Sequence, residues 1–156
     1  MKKLNFLTII LLILSHKVIA GEISGFPNIT DGDTIKIINK RIRFHGIDTP
    51  EKGQMCFKNS QNYNCGKVST EALTKKINGK LVICKVKDRL DRYKRYIGVC
   101  YVGGVDLNKW MVRNGYAVAY RRYSQDYIED EEYAKKNKLG LWAGSFIYPE
   151  KWRKLN

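Results

Sequence analysis

Residues 30–51 read Thr-Asp-Gly-Asp-Thr-Ile-Lys-Ile-Ile-Asn-Lys-Arg-Ile-Arg-Phe-His-Gly-Ile-Asp-Thr-Pro-Glu, and the fold is decided there. Ile35 and Ile37 alternate with Thr34, Lys36 and Ile38; Ile42 and Phe44 alternate with Arg41, Arg43 and His45. This period of two marks two strands that each bury one face. A tight turn at Asn39-Lys40 predicts Ile37 opposite Ile42 and Ile35 opposite Phe44, with Lys36 and Arg43 on the other face. The same register sets Asp33 opposite Gly46. Asp48, Thr49 and Glu51 follow at the end of the second strand, and Pro50 takes the chain out of the ladder because it lacks an N–H. Asp33, Asp48, Glu51 and Arg43 are therefore expected at one sheet end or barrel rim.

Working outward, residues 67–78 predict a helix with Val68, Ala72, Leu73 and Ile77 on one face and Asn78-Gly79 as its stop. Residues 80–87 and 93–102 read as strands joined by a charged turn, and 52–64 reads as a polar loop. Asp106 caps a second helix carrying Leu107, Trp110 and Met111, which Asn114-Gly115 ends. A short tyrosine-rich strand precedes a third helix over 126–138, acidic at its start and basic at its end, as the helix dipole favours. The tail, from Leu141 through Pro149 to Trp152-Arg153, carries aromatics expected to dock on the body. The fold class is α+β: a five-stranded Greek-key β-barrel of OB type with three α-helices.

Lys2 and Lys3, the apolar run 6–14 and the small residues before Gly21 have the form of a signal peptide over 1–20, cleaved after Ala20. The competing membrane anchor needs roughly 20 apolar residues, which this run does not supply. What remains, 21–156, is one domain of 136 residues. Of 29 basic and 15 acidic residues, Lys2, Lys3 and Lys17 leave with the leader, so the domain holds 26 against 15, a net charge of +11. Polyanions are the natural partners of such a field, anionic lipid surfaces among them.

Four cysteines in an exported domain point to two disulfides. Three pairings are possible; Cys56–Cys65 and Cys84–Cys100 are preferred because the latter two lie in β-rich runs that can neighbour. No Cys-x-x-Cys pair is present and only His45 remains after leader removal, which disfavours a structural zinc. The same scarcity of histidine removes Ser-His and Cys-His mechanisms.

Asp31-Gly32-Asp33-Thr34, Arg43 followed by Ile47-Asp48-Thr49-Pro50-Glu51, Asp91-Arg92-Tyr93-Lys94-Arg95, Asn108 through Gly115, and Lys138 through Trp142 together resemble the staphylococcal nuclease family, over nearly all of 21–156. The resemblance implies an OB-fold barrel and a calcium-dependent endonuclease acting on DNA and RNA by in-line attack of water, with 3'-phosphate products. It implies Asp33, Asp48 and the carbonyl of Thr49 as Ca²⁺ ligands, hard oxygen donors suited to that ion. Glu51 resembles the general base, and Arg43 and Arg95 the two arginines whose planar forks hold the phosphate. Arg92, Tyr93 and Tyr120 match substrate-contacting positions. A monomer, secreted or periplasmic, is expected. Lys94 stands where the family pattern has glycine, so the turn before Arg95 cannot use a glycine-only conformation cheaply. A barrel that has lost its chemistry and only binds nucleic acid is the alternative reading; it gives no reason for acidic residues beside phosphate.

Overall fold

The computed structural model describes residues 21–156, so the expected leader, 1–20, lies outside the described residues. The described residues open on β1 (Gly21–Gly25) and β2 (Pro27–Asp31), which are one bent strand separated by a single residue. Its first half pairs with β8 (Val82–Leu90) and its second half with β3 (Thr34–Ile37), at opposite ends of the strand path β1-β8-β9-β4-β3-β2. A sheet whose two ends are consecutive residues must curl on itself. Counted this way the barrel has five strands: the bent one, β3, β4 (Lys40–Phe44), β8 and β9 (Tyr96–Val102). All pairings on the path are antiparallel except β4 with β9.

The β3–β4 hairpin forms, but two residues out of the expected register. Ile37 faces Lys40 and Ile35 faces Ile42, and the turn is Ile38-Asn39 rather than Asn39-Lys40. Ile38 takes a φ of 54°, which a β-branched residue rarely adopts, and points to solvent. Pairing with β9 on its far side, Ile42 to Tyr96 and Phe44 to Gly98, fixes β4 independently of the turn, and this tertiary constraint prevails over turn preference. Because the shift is even, no side chain changes face: Ile35, Ile37, Ile42 and Phe44 are all buried. Asp33, however, lies opposite Phe44, whose N–H it accepts at 2.8 Å, and not opposite Gly46.

Helix α1 (Cys65–Ile77) starts two residues earlier than predicted, capped by Asn64, whose side chain accepts the Lys67 N–H; Asn78 ends it in the left-handed region. Leu73 and Ile77 close one side of the barrel, whereas Val68 is exposed. Helix α2 (Leu107–Arg113) is capped by Asp106 as expected and closes the core with Leu107, Met111 and Val112. Buried Asn108 stitches α2 to the barrel, accepting from Cys100 N–H and donating to the carbonyls of His45 and Gly98. Helix α3 (Ile128–Lys136) sets Glu131, fully buried, to accept the Ala119 N–H and to pair with Arg121 and Lys135.

Three features depart from the sequence reading. The polar loop is a hairpin, β6 (Met55–Lys58) with β7 (Gln61–Asn64), turning on Asn59-Ser60, both at positive φ. Its strands bury only one side chain fully, Cys56, so no apolar alternation betrays them. Two short strands, β5 (Ile47–Asp48) and β11 (Val118–Ala119), pair outside the barrel sheet, while β10 (Val105–Asp106) adds to β9. There are four α-helices, not three, among the described residues: α4 (Pro149–Leu155) follows a 3-10 turn at Gly140–Ala143. Both expected disulfides are present, Cys56–Cys65 tying β6 to the start of α1 and Cys84–Cys100 joining directly opposed positions of β8 and β9.

Candidate active site

The carboxylates gather where β2, β4 and β5 end together. The Asp31-Gly32-Asp33 turn passes the chain from β2 to β3, with the Asp33 N–H donating to Asp31 Oδ1 at 3.1 Å. Asp33 is 2% exposed; its Oδ2 accepts from the Thr49 N–H at 3.0 Å and the Thr49 hydroxyl at 3.1 Å, and its Oδ1 accepts from the Thr34 hydroxyl. Asp48 is 1% exposed, its backbone held by pairing of β5 with β11. Arg43 bridges the two: Nη1 contacts Asp33 Oδ1 and Nη2 donates to Asp48 Oδ1 at 2.8 Å. Asp33, Asp48, Thr49 and Arg43 thus meet as the sequence predicts.

Glu51 stands at the rim on a short loop that is fixed from both sides. Buried Gln54 accepts the Glu51 N–H through Oε1 at 3.2 Å and donates from Nε2 to the Ile147 carbonyl at 2.6 Å. Gly66, in the first turn of α1, lets the Glu51 carbonyl approach so closely that a Cβ there would lie 1.8 Å from its oxygen. The sequence reading missed Gln54; nothing in a lone polar loop residue announces that it is buried.

It also missed Arg153, whose partners are more than a hundred residues away. Helix α4 brings this side chain back over the site, where Nη1 and Nη2 donate to both oxygens of Asp48 at 3.0 and 2.9 Å and Nη1 also reaches Glu51 Oε1 at 2.7 Å. Packing of Trp142, Phe146 and Tyr148 on one another, the Gln54–Ile147 bond and an Arg122–Glu150 ion pair hold the segment leading to and starting α4. The available signal was local: Pro149 and Glu150 at a helix start, then Arg153 and Lys154 in its last turn.

Electrostatically the cluster is short of positive charge. Asp31, Asp33, Asp48 and Glu51 face two guanidinium groups, Arg43 and Arg153, an excess of two negative charges. Burial, then the charge of Asp33, pushes the Asp31 carboxyl up to about 6. Asp48 is also raised, first by burial and further by Asp33, although Arg153 and Arg43 pull the other way. Burial works against the charge on Arg43, but Asp33 and Asp48 more than offset it and its pKa is raised. Hard, anionic oxygens that strain against one another are the donor set a divalent cation of the Ca²⁺ type satisfies, so the residues fit such an ion. Among the described residues, no group of three or more His, Cys, Asp or Glu is arranged to hold a metal.

The remaining predicted residues sit around this centre. Arg95 is 15% exposed in its side chain and is clamped by Asp91, which accepts its N–H at 2.9 Å and its Nε and Nη2 at 2.8 Å each. Lys94 does adopt the left-handed conformation, φ 59°, so the turn keeps its shape with lysine in it and Arg95 is placed by Asp91. No contact joins Arg95 to Asp33 or Asp48. Tyr93 is exposed between the guanidiniums of Arg92 and Arg95, at 4.7 and 5.0 Å from its ring centre. Tyr120 is half-buried, its ring edge-on to Tyr123 at 4.8 Å between centres; burial and then the charge of Asp48 raise its pKa. His45 lies near Lys87 Nζ, at 3.5 Å, and burial together with that charge lowers its pKa.

Residues 41–144 match the family model described as staphylococcal nuclease homologue. An "Uncharacterized endonuclease" of Escherichia coli O157:H7 is 33% identical over 158 residues, covering 96% of this chain and 97% of its own. An "Uncharacterized endonuclease" of Haemophilus influenzae is 34% identical, covering 81% and 70%. The "Succinoglycan biosynthesis protein ExoI" of Rhizobium meliloti is 34% identical, covering 84% and 71%.

Proposed function

The chain belongs to the staphylococcal nuclease family and is a nuclease, a phosphodiester hydrolase; on that premise we propose that it is an exported, calcium-dependent endonuclease that cuts both DNA and RNA and leaves 3'-phosphate ends. The observation that carries this reading is the pair of buried carboxylates, Asp33 and Asp48, bridged by Arg43 in a cluster with two uncompensated negative charges. A module that only bound nucleic acid would gain nothing from that excess, because it repels phosphate.

Asp33, Asp48 and the main-chain carbonyl of Thr49 would hold the Ca²⁺. When bound, the ion supplies positive charge to a phosphate oxygen and to the water that attacks phosphorus. Arg43 enters from the barrel side and offers two fixed donors to the equatorial oxygens, whose charge grows in the transition state. Arg95 has the same task from the β8–β9 turn, its fork pre-set by Asp91. Glu51 takes the proton of the attacking water; a carboxylate on a loop braced by Gln54 and Gly66 can be held in line without a histidine. Attack opposite the 5'-oxygen breaks its bond to phosphorus; it leaves as the 5'-hydroxyl, with a proton from solvent, and the phosphate stays on the 3' side. Arg92, Tyr93 and Tyr120 line the approach, where guanidinium and aromatic faces suit phosphate and base.

Export with cleavage after Ala20, leaving 21–156 as a monomeric nuclease domain, is supported by the leader pattern and by two disulfides in one small domain. The test is digestion of plasmid DNA and of RNA by the oxidised 21–156 protein, with Ca²⁺ and with excess chelator. Cleavage of both polymers only with Ca²⁺, giving ends that need phosphatase treatment before extension, is expected. Undiminished cleavage in chelator would overturn the calcium reading.

A further inference from the structure

Arg43 and Arg153 both hold Asp48, but they are not equivalent. Arg43 belongs to β4, which is paired on both sides, and its side chain is 17% exposed between two buried carboxylates. Arg153 sits on a seven-residue helix at the end of the chain, and its side chain is 34% exposed. Of the two it is the less confined. It is also the one in the way, because its two nitrogens cover both oxygens of Asp48 and one of them engages Glu51.

A divalent cation chelated by Asp48 and a guanidinium on the same two oxygens would be like charges in contact, so only one can be there. The displaced guanidinium would find Asp48 neutralised and only Glu51 left to hold it. It already spans the gap between Asp48 and Glu51, which is where a phosphodiester must lie if it shares the cation with Asp48 and meets water activated by Glu51. Resting on the proposed calcium-nuclease reading, we infer that Arg153 is a third phosphate-binding arginine, parked on Asp48 and Glu51 until Ca²⁺ takes Asp48 and then transferred to the substrate phosphate. In the parked state it occupies the base as well as the metal ligand, so one side chain holds the site closed to both.

The experiment compares wild type, Arg153→Gln and Arg153→Lys as oxidised 21–156 proteins, with thermal melts in chelator to establish folding. Calorimetric Ca²⁺ titration without nucleic acid reads the competition. Arg153→Gln is expected to bind Ca²⁺ about tenfold more tightly, within the range usual for coupled ligands, and Arg153→Lys, which keeps the charge but loses the fork, to fall between. At saturating Ca²⁺, kcat/KM on a short single-stranded oligonucleotide is expected to fall at least about tenfold in Arg153→Gln, the loss of a charge-assisted donor pair to phosphate. Equal Ca²⁺ affinities would overturn the displacement. Tighter Ca²⁺ binding with kcat/KM unimpaired would make Arg153 a plug and overturn its transfer to phosphate. If none of the proteins binds Ca²⁺, the calcium reading itself fails and takes this inference with it. Should Arg153→Gln not fold, the comparison of wild type with Arg153→Lys carries both measurements.

Discussion

Replacing Asp48 by alanine sets two effects of opposite sign against each other. The carboxylate is buried and accepts three charge-assisted bonds from Arg43 and Arg153. Removing one partner of a buried ion pair typically costs about 3 to 5 kcal/mol, because the other charge is left without compensation. Two features lower that figure. Arg43 keeps Asp33, and Arg153, a third exposed and still beside Glu51, can turn toward water. Against the loss stands relief: the cluster carries two surplus negative charges, and burial, with the charge of Asp33 added to it, pushes Asp31 and Asp48 up. The net expectation is about 2 to 3 kcal/mol of destabilisation in the metal-free protein, a large part of the roughly 5 to 15 kcal/mol that holds a domain together. For a domain of this size it corresponds to a fall in melting temperature of roughly 6 to 15 °C. The assay is thermal unfolding of wild type and Asp48→Ala in chelator, followed by circular dichroism, with nuclease activity in Ca²⁺ alongside; activity should vanish while the variant is still folded at 25 °C. A melting temperature lowered by less than about 3 °C, or raised, would refute the reasoning, since repulsion among the carboxylates would then outweigh the bonds to the arginines.

Arg95→Lys keeps the charge but replaces a fork clamped by Asp91 with a point charge, so kcat at saturating substrate and Ca²⁺ should fall about 10²- to 10³-fold with little change in melting temperature; a change under about threefold would return Arg95 to a purely electrostatic role. Lys94→Gly should stabilise the fold by about 0.5 to 1 kcal/mol, because glycine escapes the roughly 1 to 2 kcal/mol strain of a left-handed residue while adding somewhat less entropy to the unfolded chain; a lower denaturation midpoint in urea would contradict this. Each disulfide should contribute about 2 to 4 kcal/mol, visible as a lower melting temperature in reductant. Loss of Cys56–Cys65 alone, by paired serine substitution, should also reduce activity more than loss of Cys84–Cys100, since the first ties β6 to the start of α1 beside the Glu51 loop, and equal activities in the two double variants would argue otherwise.

The alternation of Ile35, Ile37, Ile42 and Phe44 was enough to specify the hairpin and its buried face, because a period of two is a property of the strand itself and survives any even slip in register. Helix caps at Asp106 and Asn78 were legible for the same reason: a cap acts on groups within a few residues of it. So was the convergence of Asp33, Asp48 and Arg43, which needs only one hairpin and the turn after it. The exact register was not, since β4 is positioned by β9, more than fifty residues on, as well as by its own turn. The strands β6 and β7 bury almost nothing, and a disulfide ties them to the start of α1. Most of all, the roles of Gln54 and Arg153 arise only in three dimensions. A glutamine bonded to a carbonyl 93 residues away, and an arginine paired with carboxylates 102 and 105 residues away, have no periodicity or cap to announce them. Their partners are chosen by where the barrel rim, the aromatic tail and the last helix come to rest, and an ion pair across that distance is written in the packing of the intervening chain.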